Sequence, residues 1–188
     1  MSIYANKGAT FEQLIEYANR RYKASGIAVI EKQHTLCKPL RNGTGRIVSA
    51  KFEIKATVDY MGRYGKIPIA FEAKHTNTDR IALDRVEPHQ CEFLQNWTDG
   101  GKGIGFILLG FRWENYFLIP WESWDIAKKA REQKTTKATI NMPPCPPYWF
   151  PTGKASIKLS ETPDEWRVQT GGNAALDYLA TVKKIWSI

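Results

Sequence analysis

The spacing of apolar residues changes along the chain, and each change marks an element. Phe11, Leu14, Ile15, Ala18 and Tyr22 recur every three or four residues, which places them on one helical face. Thr10 and Gln13 have the spacing of a capping box, so this helix is expected to open at Thr10 and to stop near Gly26. Residues 27–30 are a short apolar run and predict a buried strand. Residues 53–61 read as a second strand, with Gly62, Tyr64 and Gly65 as a turn and residues 66–74 as the returning strand. Pro68 puts the start of that returning strand at an edge or bulge.

Residues 76–79 form a polar loop, and Pro88 suits the first turn of a helix that ends at Gly100 and Gly101. Residues 104–112 and 116–119 predict two strands joined through Trp113, Glu114 and Asn115. A helix is expected over 121–134, and a last one from Asn173, a good N-cap, to about Lys184. Between them lies a Pro-rich segment, 141–151, which excludes regular helix or central strand. It is expected to run extended, with Tyr148, Trp149 and Phe150 holding it down. This order predicts one mixed α/β domain over residues 1–188, with a central mixed β-sheet flanked by helices.

Composition narrows the class. Of the 188 residues, 43% are hydrophobic and 24% charged, which is enough for an ordinary core. The strongest apolar run, 104–111, is too short to cross a bilayer, and residues 1–4 lack a secretory layout, so a soluble cytoplasmic protein without membrane contact is expected. Cys37, Cys91 and Cys145 are widely spread and form no C-x-x-C pair, which argues for reduced thiols rather than a zinc site. The net charge of +8 favours polyanionic partners, nucleic acid first. Its distribution says more. Residues 32–52 contain no Asp or Glu but carry Lys32, Lys38, Arg41, Arg46 and Lys51 around a turn at 42–45. A solvated surface loop and a projecting basic hairpin explain this equally well.

The chemistry concentrates on the returning strand. Glu72 and Lys74 are two apart, so on a strand they share a face. If the two strands pair about the turn, Asp59 lies opposite Glu72 on that face. Two carboxylates and an ammonium would then converge. Carboxylates suit magnesium, which prefers oxygen, and a lysine can activate water or stabilise charge on a phosphate. The E-x-K pattern alone is weak, since it also occurs at Glu53–Lys55 and Glu132–Lys134. Only Glu72-Ala73-Lys74 ends an apolar strand, where charges need partners or a metal. A plain surface ion pair between Glu72 and Lys74 is the competing reading.

These residues resemble the RecU-type Holliday-junction resolvases of the PD-(D/E)xK nuclease superfamily. The likeness runs through Lys7-Gly8-Ala9-Thr10-Phe11-Glu12, Tyr22 and Gly26-Ile27-Ala28-Val29-Ile30. It is strongest in Thr57-Val58-Asp59-Tyr60-Met61-Gly62, Phe71-Glu72-Ala73-Lys74 and Glu87-Pro88-His89-Gln90, and fades after about Ala130. The resemblance implies a restriction-endonuclease-like fold with a basic stalk, here residues 33–55, that enters a four-way junction. It implies Asp59 and Glu72 as acidic metal ligands, Thr57 near the metal, Lys74 as the catalytic lysine and Gln90 as a further site residue and ligand. Glu12 matches an acidic position of the first helix, and His89 is a candidate phosphate contact, though a solvated glutamate and a packed histidine are the commoner fates.

The expected function is magnesium-dependent resolution of four-way DNA junctions by a homodimer, with manganese as a substitute ion and Lys38, Arg41, Arg46 and Lys51 on DNA. Trp97, Trp113, Trp121 and Trp124 are weighed as base-stacking residues against core roles. A less selective nuclease of the same superfamily, or a non-catalytic DNA-binding protein that regulates a recombinase, would share most of these features.

Overall fold

The computed structural model describes residues 10–34, 36–54, 56–101, 103–132, 138–140, 148–150, 154–171 and 175–188. Helix α1 (Phe11–Ala24) opens on the expected capping box: the Thr10 amide donates to Gln13 Oε1 at 2.7 Å, and the Gln13 amide donates to Thr10 Oγ1 at 3.3 Å. Its apolar stripe of Phe11, Leu14, Ile15, Ala18 and Tyr22 is buried. Strand β1 (Ala28–Lys32) follows, then a separate antiparallel hairpin of β2 (Leu36–Arg41) and β3 (Ile47–Ile54). Asn42 closes the hairpin tip, its side chain accepting from the amides of Thr44 and Arg46.

The expected strand over 53–61 is not continuous. β3 ends at Ile54 in the hairpin, the chain bends at 57–59, and β4 (Tyr60–Tyr64) begins a different sheet. The reason is a tertiary contact: the Asp59 amide donates to the Glu72 side chain at 3.0 Å instead of to a strand partner. The turn is also shorter than expected, because Gly62 and Tyr64 belong to β4 and only Gly65 and Lys66 turn. Gly62 serves close packing rather than turning. A Cβ there would lie 2.0 Å from the Val29 carbonyl oxygen of β1.

β5 (Ile67–Thr76) pairs antiparallel with β4, Tyr60 opposite Phe71. After β6 (Arg80–Ala82) and α2 (Pro88–Thr98), β7 (Ile104–Phe111) returns parallel to β5, and β8 (Asn115–Pro120) closes the sheet antiparallel to β7. The order is β1-β4-β5-β7-β8. Parallel pairing of β5 with β7 starts at Ile69, one residue past Pro68, so the proline sits where no ladder partner on that side is needed. β7 is buried along its whole length, as a central strand covered on both faces should be.

α3 (Trp121–Glu132) packs with α2 on one face of this sheet. On the other face lie α1 and the last helix, α4 (Tyr178–Trp186), through Tyr22, Phe71, Phe106 and Tyr178. The mixed α/β expectation therefore holds. α4 starts later than expected: Asp177 is its cap, accepting from the Ala180 amide at 3.3 Å and from the Tyr22 hydroxyl at 2.9 Å. Leu176 and Asp177 are paired with Gln169 and Thr170, which keeps the helix from starting sooner. Asn173 lies outside the described residues, as do residues 1–9 and most of the Pro-rich segment. Tyr148–Phe150 is a short strand paired with Ala138–Ile140. Among the described residues, no helix is long and apolar enough to cross a membrane.

Candidate active site

Three neighbouring elements deliver four side chains to one place. β5 contributes Glu72 and Lys74, on the face that α2 covers. The β4–β5 register, continued by one residue, sets Asp59 opposite Glu72. The two segments are cross-tied: the Asp59 amide donates to Glu72 Oε2 at 3.0 Å, and the Ala73 amide donates to Asp59 Oδ2 at 2.9 Å. Each carboxylate thus anchors on the backbone of the other strand, which fixes both in register.

Glu72 is 1% exposed. Its Oε1 accepts from Lys74 Nζ at 2.5 Å and from Gln90 Nε2 at 2.6 Å. Gln90 itself is held by its other end, where Oε1 accepts from the Glu87 amide at 2.9 Å. Gln90 is the third residue of α2 and Glu87 precedes the helix, so the tie is a helix N-terminal motif turned to orient a side chain. The three-residue spacing of Glu87 and Gln90 ahead of the helix is the sequence signal of this tie.

Burial pushes the Glu72 carboxyl up from 4.5 to about 7, and the nearby Asp59 carboxylate pushes in the same direction. The Lys74 ammonium opposes both. A buried acid whose negative charge is only partly compensated is a receptive place for a cation. Two carboxylates on adjacent strands supply the hard oxygen donors a small divalent ion takes, with its remaining positions left to water and phosphate. No cluster of three or more His, Cys, Asp or Glu that could hold a metal occurs among the described residues.

Other expected residues fall elsewhere. Thr57 is exposed in the bend two residues before Asp59, with its hydroxyl 3.8 Å from Met61 Sδ. Glu12 pairs with Lys32 at 2.7 Å, and Glu16 shares the same lysine at 3.6 Å. His89 Nδ1 lies 3.5 Å from a Glu87 carboxylate oxygen. Lys38, Arg41 and Arg46 are exposed on the β2–β3 hairpin, where Arg41 Nη1 donates to the Gly45 carbonyl at 2.8 Å. Lys51 is opposite Lys38 in the hairpin register, and its side chain lies outside the described residues. Of the four tryptophans, Trp121 and Trp124 are core residues and Trp97 packs on Phe93, whereas Trp113 is exposed.

A mixed sheet with two cross-tied acids and a lysine gathered at β5, beside a separate basic hairpin, defines a class: an α/β protein with a buried acidic cluster and a cationic hairpin. The sequence places it within that class. Residues 6–145 match the RecU family, described as Recombination protein U, and the chain belongs to that family. It is 32% identical over 142 residues to the Holliday junction resolvase RecU of Streptococcus pneumoniae (strain Taiwan19F-14), covering 72% of this chain and 70% of that protein. It is 34% identical over 129 residues to the Holliday junction resolvase RecU of Staphylococcus epidermidis (strain ATCC 12228 / FDA PCI 1200), covering 65% of this chain and 62% of that one. Among solved structures, Archaeoglobus fulgidus Hjc, a Holliday junction resolvase from an archaeal hyperthermophile, overlaps 58% of this chain and 78% of its own at 9% identity, with a TM-score of 0.37.

Proposed function

We propose that the chain is a structure-selective endonuclease that resolves four-way DNA junctions by hydrolysing phosphodiesters with magnesium, manganese serving as a substitute. The observation that carries this reading is the buried Glu72 carboxylate, cross-tied to Asp59 and gripped by Lys74 and Gln90. Membership of the RecU family supports it, and so does the charge of the hairpin.

Asp59 and Glu72 would hold the ion through the oxygens of the two carboxylates, with Thr57 and Gln90 beside them. Bound magnesium supplies Lewis acidity at the scissile phosphate and eases deprotonation of water. The protein's own groups do the rest. The Ala73 and Asp59 amides keep both carboxylates in register. Gln90 holds Glu72 Oε1 in place. The Lys74 ammonium, next to that oxygen, stabilises the charge that builds on phosphate and orients the attacking water. Lys38, Arg41, Arg46 and Lys51 offer the hairpin's cations to the phosphates around the branch point. A homodimer fits the task, because two nicks related by a two-fold axis need two sites related in the same way.

The test is a gel assay. Wild type should cut a four-way junction in magnesium and leave its component duplexes intact. Asp59→Ala and Lys74→Ala should bind the junction without magnesium as wild type does, and cut it at least about a hundredfold more slowly. Equal cutting of duplex and junction by wild type would reduce the reading to a less selective nuclease. Normal cutting by either variant would remove the assignment of the site.

A further inference from the structure

Four rings make a column that begins in the core and ends in solvent. Tyr116 stacks on Phe11 with centroids 5.5 Å apart and planes 13° from parallel. Phe11 lies 6.0 Å from the His75 ring at a tilt of 41°, and Trp113 lies 3.8 Å from His75 at a tilt of 38°. Tyr116 is 2% exposed and Trp113 is 45% exposed, so the column ends in an indole open to solvent.

The backbone under that indole is strained. Arg112 has φ 52° and Trp113 φ 63°, the left-handed region at two successive residues that are not glycine. The connection is three residues long, 112–114, closed by the Glu114 amide donating to the Phe111 carbonyl at 3.3 Å, and positive φ at two successive turn residues is normally left to Asn-Gly or Asp-Gly. Strain of this sort is kept where surrounding structure enforces it, and it gathers at sites that bind or react. Here the turn is fastened to β5, where the Arg112 amide donates to the Thr76 carbonyl at 2.9 Å, and to β8, whose Tyr116 hydroxyl donates to the Trp113 carbonyl at 2.8 Å. Thr76 is two residues past Lys74, so at strand spacing the turn's anchor stands about 7 Å along β5 from the lysine, while His75, on which Trp113 packs, lies on the opposite face of the sheet. Exposed cations surround the same end of the sheet: Arg112 in the turn, and Arg80 and Arg85 in the segment after β5.

We propose that Trp113 is a stacking platform for a nucleobase of the DNA strand that crosses the end of β5. The proposal rests on the junction-nuclease reading and adds a residue to it. An indole face accepts any base, and a fixed ring stack behind it leaves little side-chain entropy to lose on binding. The neighbouring arginines take the phosphates on either side of the stacked base.

The experiment compares wild type with Trp113→Gly and Trp113→Phe. Glycine is at ease at positive φ, so Trp113→Gly relieves the turn while deleting the ring. The readouts are junction affinity without divalent ions, tryptophan fluorescence during the titration, and sedimentation. Trp113→Gly should weaken junction binding about tenfold, and Trp113→Phe should recover most of that loss. Junction binding should quench wild-type fluorescence, and Trp113→Phe should lose much of the quench. The quench holds as a measure even if Trp113→Gly folds poorly. Affinity of Trp113→Gly within twofold of wild type, or an equal quench in Trp113→Phe, overturns the proposal. So does a Trp113→Gly protein that changes its oligomeric state, which would assign the ring to a contact between copies. A wild type that fails to cut junctions sinks the functional reading instead, and is read in a separate lane.

Discussion

At the scale of single residues the decisive feature is one acid held out of water. The Glu72 carboxyl is pushed up to about 7 by burial and by Asp59. Between 4.5 and about 7 the folded protein retains a proton that the unfolded chain has already released. This contribution to stability is therefore complete below about 4.5 and is lost as the pH rises through about 7. Melting curves from pH 4.5 to 8 without divalent ions, wild type minus Glu72→Gln, should show that decline. A difference that stays flat contradicts the assignment. Gln90 provides a second test. Gln90→Ala removes a 2.6 Å hydrogen bond from a buried carboxylate, so it should cost about 1–3 kcal/mol in urea unfolding. It should also move the rising limb of the cleavage–pH profile to higher pH, because the charged form of Glu72 loses a donor. A variant with wild-type stability and profile would mean that Gln90 is a bystander.

Elements carry their own predictions. Gly62 lets β1 lie against β4, and a methyl group there would sit 2.0 Å from a carbonyl oxygen. Gly62→Ala must push β1 outward and should cost about 1–3 kcal/mol, read as a lower urea midpoint. An unchanged midpoint would show that β1 gives way freely. On the hairpin, reversing the charge of Lys38, Arg41 and Arg46 together should weaken junction binding and flatten its dependence on salt, since fewer counterions are released. An unaltered slope would take the hairpin off the DNA. These elements also show where a sequence can be read. α1 was legible because its stripe and capping box are written within a few residues of one another, and α2 because Pro88 and the glycines bracket it. The bend before Asp59 was not. Thr57 to Tyr60 continue a strand-like alternation, and what interrupts it is a bond to Glu72, 13 residues away. The start of α4 failed likewise: Asn173 is the better cap by composition, but pairing of Leu176 and Asp177 and the distant Tyr22 hydroxyl settle on Asp177. The acids and the lysine were legible because period-two spacing fixes a face. The grip of Gln90 on Glu72 spans 18 residues and needed coordinates.

For the molecule as a whole, the site should be linked to folding. A divalent ion that binds only the folded chain raises the melting temperature by mass action. The ion must displace the proton from Glu72, so the rise on adding magnesium should be larger at pH 8 than at pH 6. Asp59→Asn combined with Glu72→Gln should abolish it. Equal rises at both pH values would place the ion elsewhere.

The way the hairpin joins the body has a consequence for how such proteins diversify. The Gln33 amide donates to the Asp59 carbonyl at 2.7 Å, so the chain is clasped shut at the neck of the hairpin. Whatever lies beyond the clasp is topologically a loop with its ends already together, and its length adds little to the cost of folding. The arm is therefore an interchangeable head on a fixed handle. Shortening it, or grafting one of another length, should leave the cutting centre assembled and change only which branched DNA can be seated, a design rule that a series of loop-length chimeras can read out directly.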